Sequence, residues 1–224
     1  MTPGPPVEPE VAYFREIERA FVERRGDPLF ISNADWVFLA KLWKKGVPRR
    51  IVLRGLADAF DAHAHSFARK QKIRSLKFCE TEIGAAADRY RRALQTEGPG
   101  RRGLSGALNG LADRIGAIPT PPEIANAVEI VRTRLGETAA AVDADRAFDP
   151  ARALAGIEDA LVTAASAALG PEVVEGYRKD SRAATASYQS RMPAKVYETL
   201  IEESVRRKIL NRFGLPRLLL AEIE

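Results

Sequence analysis

Apolar residues recur at steps of three and four along most of this chain, and that spacing predicts one helix after another. The first stripe, Tyr13, Phe14, Ile17 and Phe21, runs from Glu10 to a stop at Arg25-Gly26, and Asp27-Pro28 makes the turn. Ser32-Asn33-Ala34-Asp35 opens the second helix. Ser32 is placed to accept from the third amide and Asp35 to answer it, the reciprocal arrangement of a capping box. Trp36, Leu39, Ala40 and Trp43 share the inward face, so both tryptophans are expected in the core. Lys44-Lys45 fall in the last turn, where the helix dipole favours cations, Gly46 can take the left-handed closing conformation, and Pro48 suits the first turn of the next helix.

The third helix is expected to bury Val52, Leu56, Ala59, Phe60 and Phe67 and to end near Phe67. Gly55 in its interior costs roughly 1 kcal/mol against alanine, which makes sense where a neighbouring helix comes close. A fourth stripe follows in Leu76, Cys79, Ile83, Ala87, Tyr90 and Leu94. With short joints these helices should form a small antiparallel unit over residues 10–95. The opening Met1–Pro6 is too rich in Pro and Gly for regular structure.

Thr96–Gly106 combines four glycines and a proline without apolar period and is expected to be a linker. Beyond it, over 107–224, alanine-rich segments predict a second bundle: Leu104–Ile118, Pro122–Leu135, Pro150–Leu169 and Pro171 to about Tyr188. A last helix from about Pro193 turns Val196, Leu200, Ile201, Val205 and Ile209 inward and ends at Arg212-Phe213-Gly214. The apolar tail Leu215–Leu220 should dock on its own bundle or on a partner. No segment alternates with period two between turn signals, so the fold class is all-α in two helical modules.

Charge changes this picture at one place. Residues 41–77 hold 11 Lys or Arg against 2 Asp, a net of +9 in a chain whose total is +5, so the remainder sums to −4. A basic zone on an otherwise slightly acidic protein is the footprint of a polyanion site. The candidate nucleic-acid contacts are Lys44, Lys45, Arg49, Arg50, Arg69, Lys70, Lys72, Arg74 and Lys77, with the joint 69–74 placed to straddle phosphates. The zone lacks the interleaved exposed aromatics of a single-strand platform. The competing reading is a solvated face that keeps the protein soluble.

Other chemistry is sparse. Asp58, Asp61 and His65 stand at i, i+3 and i+7 and could hold a divalent metal if Cys79, Glu80 or Glu82 completed the set, the basis of an alternative reading as a metal-dependent enzyme. Cys79 lies on the apolar stripe and reads as a small hydrophobe. The Gly-rich run 98–106 lacks the Lys-Ser/Thr ending of a phosphate loop, and no serine-nucleophile motif is present, so neither catalytic residues nor a cofactor are expected. A single cysteine rules out an internal disulfide framework and suits a reducing compartment. With no export signal or membrane span in the sequence, the expected location is the cytoplasm.

Trp36 through Leu42-Trp43, the Gly46 corner, Val52–Phe60 and Ser75-Leu76-Lys77-Phe78-Cys79-Glu80-Thr81-Glu82-Ile83 together resemble the helical domain of the DnaD-like bacterial replication proteins. Cys79, Glu82 and Ala86 depart from the isoleucine and tryptophan positions of that pattern. The resemblance implies a non-enzymatic adaptor that binds DNA and helps to recruit a helicase loader or another ATPase, here through the C-terminal bundle. The rival reading is a protein-interaction scaffold that never touches nucleic acid.

Overall fold

The computed structural model describes residues 9–27, 31–66, 72–95, 99–145 and 147–223. Met1–Pro6, Pro28, Phe67, Arg69, Lys70 and residues 96–98 lie outside that set, as does the side chain of Leu94. Among the described residues there is no strand, and the all-α reading holds. The chain divides into two compact units, one of residues 1–90 and 182–204 and the other of 91–181 and 205–224.

The first unit contains α1 (Pro9–Arg25), α2 (Asn33–Lys44), α3 (Arg49–Ala64), a 3-10 turn at Leu76–Cys79 and most of α4 (Glu80–Gln95). To these the later chain adds the short α9 (Ala186–Gln189) and the first part of α10 (Ala194–Arg212). The apolar stripes read from the sequence form its core: Phe14, Ile17, Phe21, Trp36, Leu39, Val52, Leu56, Leu76 and Ile83 are fully or almost fully buried. Phe60, expected inside, is only half-buried, with its ring edge-on to Phe21 at 5.9 Å. Trp43 is also half-buried and packs on Tyr13 at 4.8 Å. α3 ends at Ala64, where the Ser66 hydroxyl donates to the His63 carbonyl at 2.8 Å.

Gly46 closes α2 with φ +63, the left-handed value the corner demands. Gly55 has a different role. A Cβ there would lie 2.5 Å from the Ile83 Cα and 2.8 Å from its nitrogen, so α3 and α4 meet backbone to backbone at a point where only glycine fits.

The segment 182–204 belongs with this unit because its side chains complete the core. Tyr188 sets its ring across that of Trp36 at 6.3 Å and 86°. Arg191 lies over the other aromatic partner, Tyr188, at 5.2 Å and pairs with the buried Glu18 of α1. Val196, Tyr197, Leu200 and Ile201 are buried behind them. Hence the boundary read at 96–106 is not where this unit ends: the chain leaves it after Tyr90 and returns at Arg182.

The second unit is built on α5 (Pro99–Gly116), α6 (Pro122–Ala144) and α7 (Pro150–Leu169). It also holds most of α8 (Pro171–Ala184), the end of α10 and the short α11 (Leu220–Ile223). The expected linker is corrected here, because α5 already begins at Pro99 and residues 99–106 are helical. Leu104 and Leu108 extend the buried stripe of Leu111 and Ile115 towards the N-terminus, and Ser105 donates to Asp143 at 2.7 Å. That packing outweighs the helix cost of the glycines. α6 likewise outruns its expected end at Leu135, with Ala139 and Val142 continuing its buried face.

The tail docks on its own bundle. After Gly214, at φ +69, Leu215, Leu218, Leu220 and Ile223 are buried, and α11 packs on α5 and α7. Between them Arg217 reaches Glu158 of α7 through Nε at 2.9 Å and Nη2 at 2.8 Å, while the Leu218 amide donates to the other carboxylate oxygen at 2.5 Å. A buried ion pair holds only when its remaining lone pairs are also satisfied, and here the backbone amide does that. No single helix among the described residues is long and apolar enough to cross a membrane. α7 and α8 reach that length and composition only as a pair bent by 112°.

Candidate nucleic-acid interface

The frame of the candidate site is one buried carboxylate. Asp35 occupies the third position of α2 and is fully buried. One of its oxygens accepts from the Ser32 amide at 3.1 Å, and the Asp35 amide donates to the Ser32 hydroxyl oxygen at 3.2 Å, which is the capping box expected from the sequence; the Ser32 hydroxyl also donates to that carboxylate oxygen at 2.8 Å. Its other oxygen accepts from the Ser75 hydroxyl at 2.6 Å and the Lys77 amide at 3.3 Å. This second pair is a tertiary bond. It fixes the 3-10 turn, and Lys77 on it, to the N-terminal end of α2.

The basic zone is therefore divided. Lys72, Arg74 and Lys77 are exposed beside the start of α2, whereas Lys44, Lys45, Arg49 and Arg50 are exposed at the corner after its end. From Asp35 to Lys44 the helix rises about 14 Å, so the two ends of α2 are separated by the rise of roughly four phosphates along one strand. Arg49 bonds Glu16 at 2.9 Å, and Arg50 lies over the Tyr90 ring at 5.7 Å. Arg69 and Lys70, expected at the centre of the zone, lie outside the described residues.

The face proposed for a metal is otherwise engaged. Asp58 receives Arg54 on one oxygen at 3.0 Å and Arg89 on the other at 3.2 Å. The His65 ring bonds the Asp61 carbonyl through Nδ1 at 2.7 Å. Among the described residues no three His, Cys, Asp or Glu side chains are placed to share an ion. Of the three, Asp58 is held on the surface of α3 by the two guanidiniums. Cys79 is fully buried, and burial, with the Asp35 charge behind it, pushes its thiol up to about 12, far from a reactive thiolate. In the second unit an open cleft of about 500 Å³ at the α7–α8 corner is edged by Glu175 and Arg178, which bond each other at 3.0 Å.

One exposed side chain beside the candidate cations was not among the residues singled out from the sequence. Phe78 is 54% exposed, next to Lys77 and edge-on to His63 at 5.3 Å. The signal was present: the stripe Leu76, Cys79, Ile83 passes Phe78 by, which leaves its side chain outside.

The fold and this surface define an all-α protein with a basic first unit. Residues 12–98 match a family model described as an uncharacterised protein, a span that contains every candidate cation. No curated protein and no solved structure matches the chain.

Proposed function

We propose that this protein is a non-enzymatic, DNA-associated adaptor whose first unit holds the phosphate backbone. The observation that supports this best is the pair of exposed cation groups at the two ends of α2, one of them anchored through Asp35. Phosphate contacts need cations held in register, and a buried anchor supplies register that long side chains on a free loop lack. Along the resemblance to the DnaD-like proteins, the reading extends to bacterial replication initiation, with a helicase loader or other ATPase as the protein partner of the second unit.

The test is duplex binding at low salt by the full chain and by two variants, Lys44→Ala/Lys45→Ala and Lys72→Ala/Arg74→Ala/Lys77→Ala. Each variant is expected to bind more weakly than the parent, by a similar factor on unrelated duplexes, because phosphate contacts carry no sequence information. Absence of binding by the parent, or variants that bind as it does, would favour the scaffold reading instead.

A further inference from the structure

From the outer face of α2 we infer that the first unit docks an acidic protein segment carrying a large apolar side chain. Ala34 and Val37 are exposed on this face and Phe38 is half-buried, while Lys41, Lys44 and Lys45 are exposed on the same side towards the C-terminal end. The positions 34, 37, 38, 41, 44 and 45 form one helical stripe, so an apolar half and a cationic half follow one another along a single surface. The only acid of α2 is Asp35, which is buried and turned to Ser32, Ser75 and the Lys77 amide. Among the described residues none of the three lysines has a carboxylate partner, whereas Arg49, Arg54 and Arg89 each have one.

The helix dipole favours lysines in a last turn, but it gives no reason for Val37 to stand 40% exposed one turn earlier. A phosphate backbone would use the lysines and leave Val37 and Phe38 idle. An acidic peptide uses both halves: an aliphatic or aromatic side chain covers Val37 and Phe38, and carboxylates farther along meet the lysines. Val37 and Lys44 are separated by a rise of about 10 Å, which an extended segment spans in about three residues. An apolar patch of this size is too small to seat in a membrane. The inference does not rest on the proposed nucleic-acid role, although Lys44 and Lys45 would serve either ligand.

The experiment applies the full chain to an array of short peptides with an Asp/Glu background, in which Leu, Ile, Phe or Trp occupies each position in turn, beside all-acid peptides and apolar peptides without acids. Peptides that combine acids with an apolar anchor are expected to bind best. The strongest is then labelled and titrated against the parent, Val37→Ser and Lys41→Ala. Val37→Ser should lose about 3- to 10-fold in affinity through the apolar contact. Lys41→Ala should lose about 2- to 5-fold and show a shallower salt dependence. Both side chains are exposed, so circular dichroism of each variant should match the parent, and a loss of binding is then not a loss of fold. Val37 offers a phosphate nothing, so Val37→Ser should bind duplex as the parent does. All-acid peptides that bind as well as the anchored ones, peptide affinity unchanged in Val37→Ser, or no peptide bound at all overturns the inference and leaves the DNA-adaptor reading standing.

Discussion

Gly55 shows how much one missing Cβ can decide. The sequence flagged it as a costly residue in a helix interior, and the structure gives the reason in the Ile83 backbone 2.5 Å from where a Cβ would be. Gly55→Ala should therefore destabilise the protein by about 1–3 kcal/mol despite alanine's better helix propensity, measured as a lower denaturation midpoint. A midpoint that rises would mean that α3 and α4 do not approach as described. Cys79 makes a second prediction. Its thiol stays protonated in the folded chain up to about pH 12, whereas the unfolded thiol ionises near 9. The unfolded state therefore gains from deprotonation first, and stability should fall as pH rises through this window. Replacing Cys79 with alanine should remove the thiol's part of that fall and leave the share of Tyr13, whose hydroxyl is also pushed upward by burial. Of these residues, Cys79 was legible as a buried hydrophobe from its place on the stripe. Asp35 was legible only as a cap, because its bond to Ser75 spans forty positions and no local spacing encodes it.

Helix cores were readable here and helix ends were less so. The stripes of α1, α2 and α3 follow the apolar period closely, because each has one face on the core and one in water. α5 defied its composition: the glycines at 103 and 106 argue for a linker, but the buried Leu104 and the Ser105 bond to Asp143 come from partners that the local window does not contain. Limited proteolysis should accordingly spare 99–106 in the native chain, and early cleavage there would contradict α5 as described. The tail gives a larger effect. Arg217→Ala would leave Glu158 buried without its counterion, and such losses cost about 3–5 kcal/mol. Substituting both residues with apolar side chains should recover much of that cost, a contrast read in denaturant midpoints.

The division into units is the feature that sequence periodicity conveyed least. Glycine content pointed to a boundary near residue 100, but compactness depends on which segments cover one another, and Tyr188, Val196 and Leu200 cover the first unit from far along the chain. A fragment of residues 1–95 should for that reason fail to fold stably, whereas the same fragment supplied with 182–204 should regain helicity. The basic zone was legible as charge, but its splitting between the two ends of α2 depends on Asp35 and was not. The account's central claim is that these cations meet phosphate, and the salt dependence of duplex affinity tests it most directly. Three contacts from Lys72, Arg74 and Lys77 contribute about −2.7 to the slope of log affinity against log salt, or about 40-fold between roughly 50 and 200 mM. The account predicts a parent slope at least that steep, which becomes shallower by about that amount in the Lys72→Ala/Arg74→Ala/Lys77→Ala variant. A slope near zero, or one that the triple substitution leaves unchanged, would contradict it.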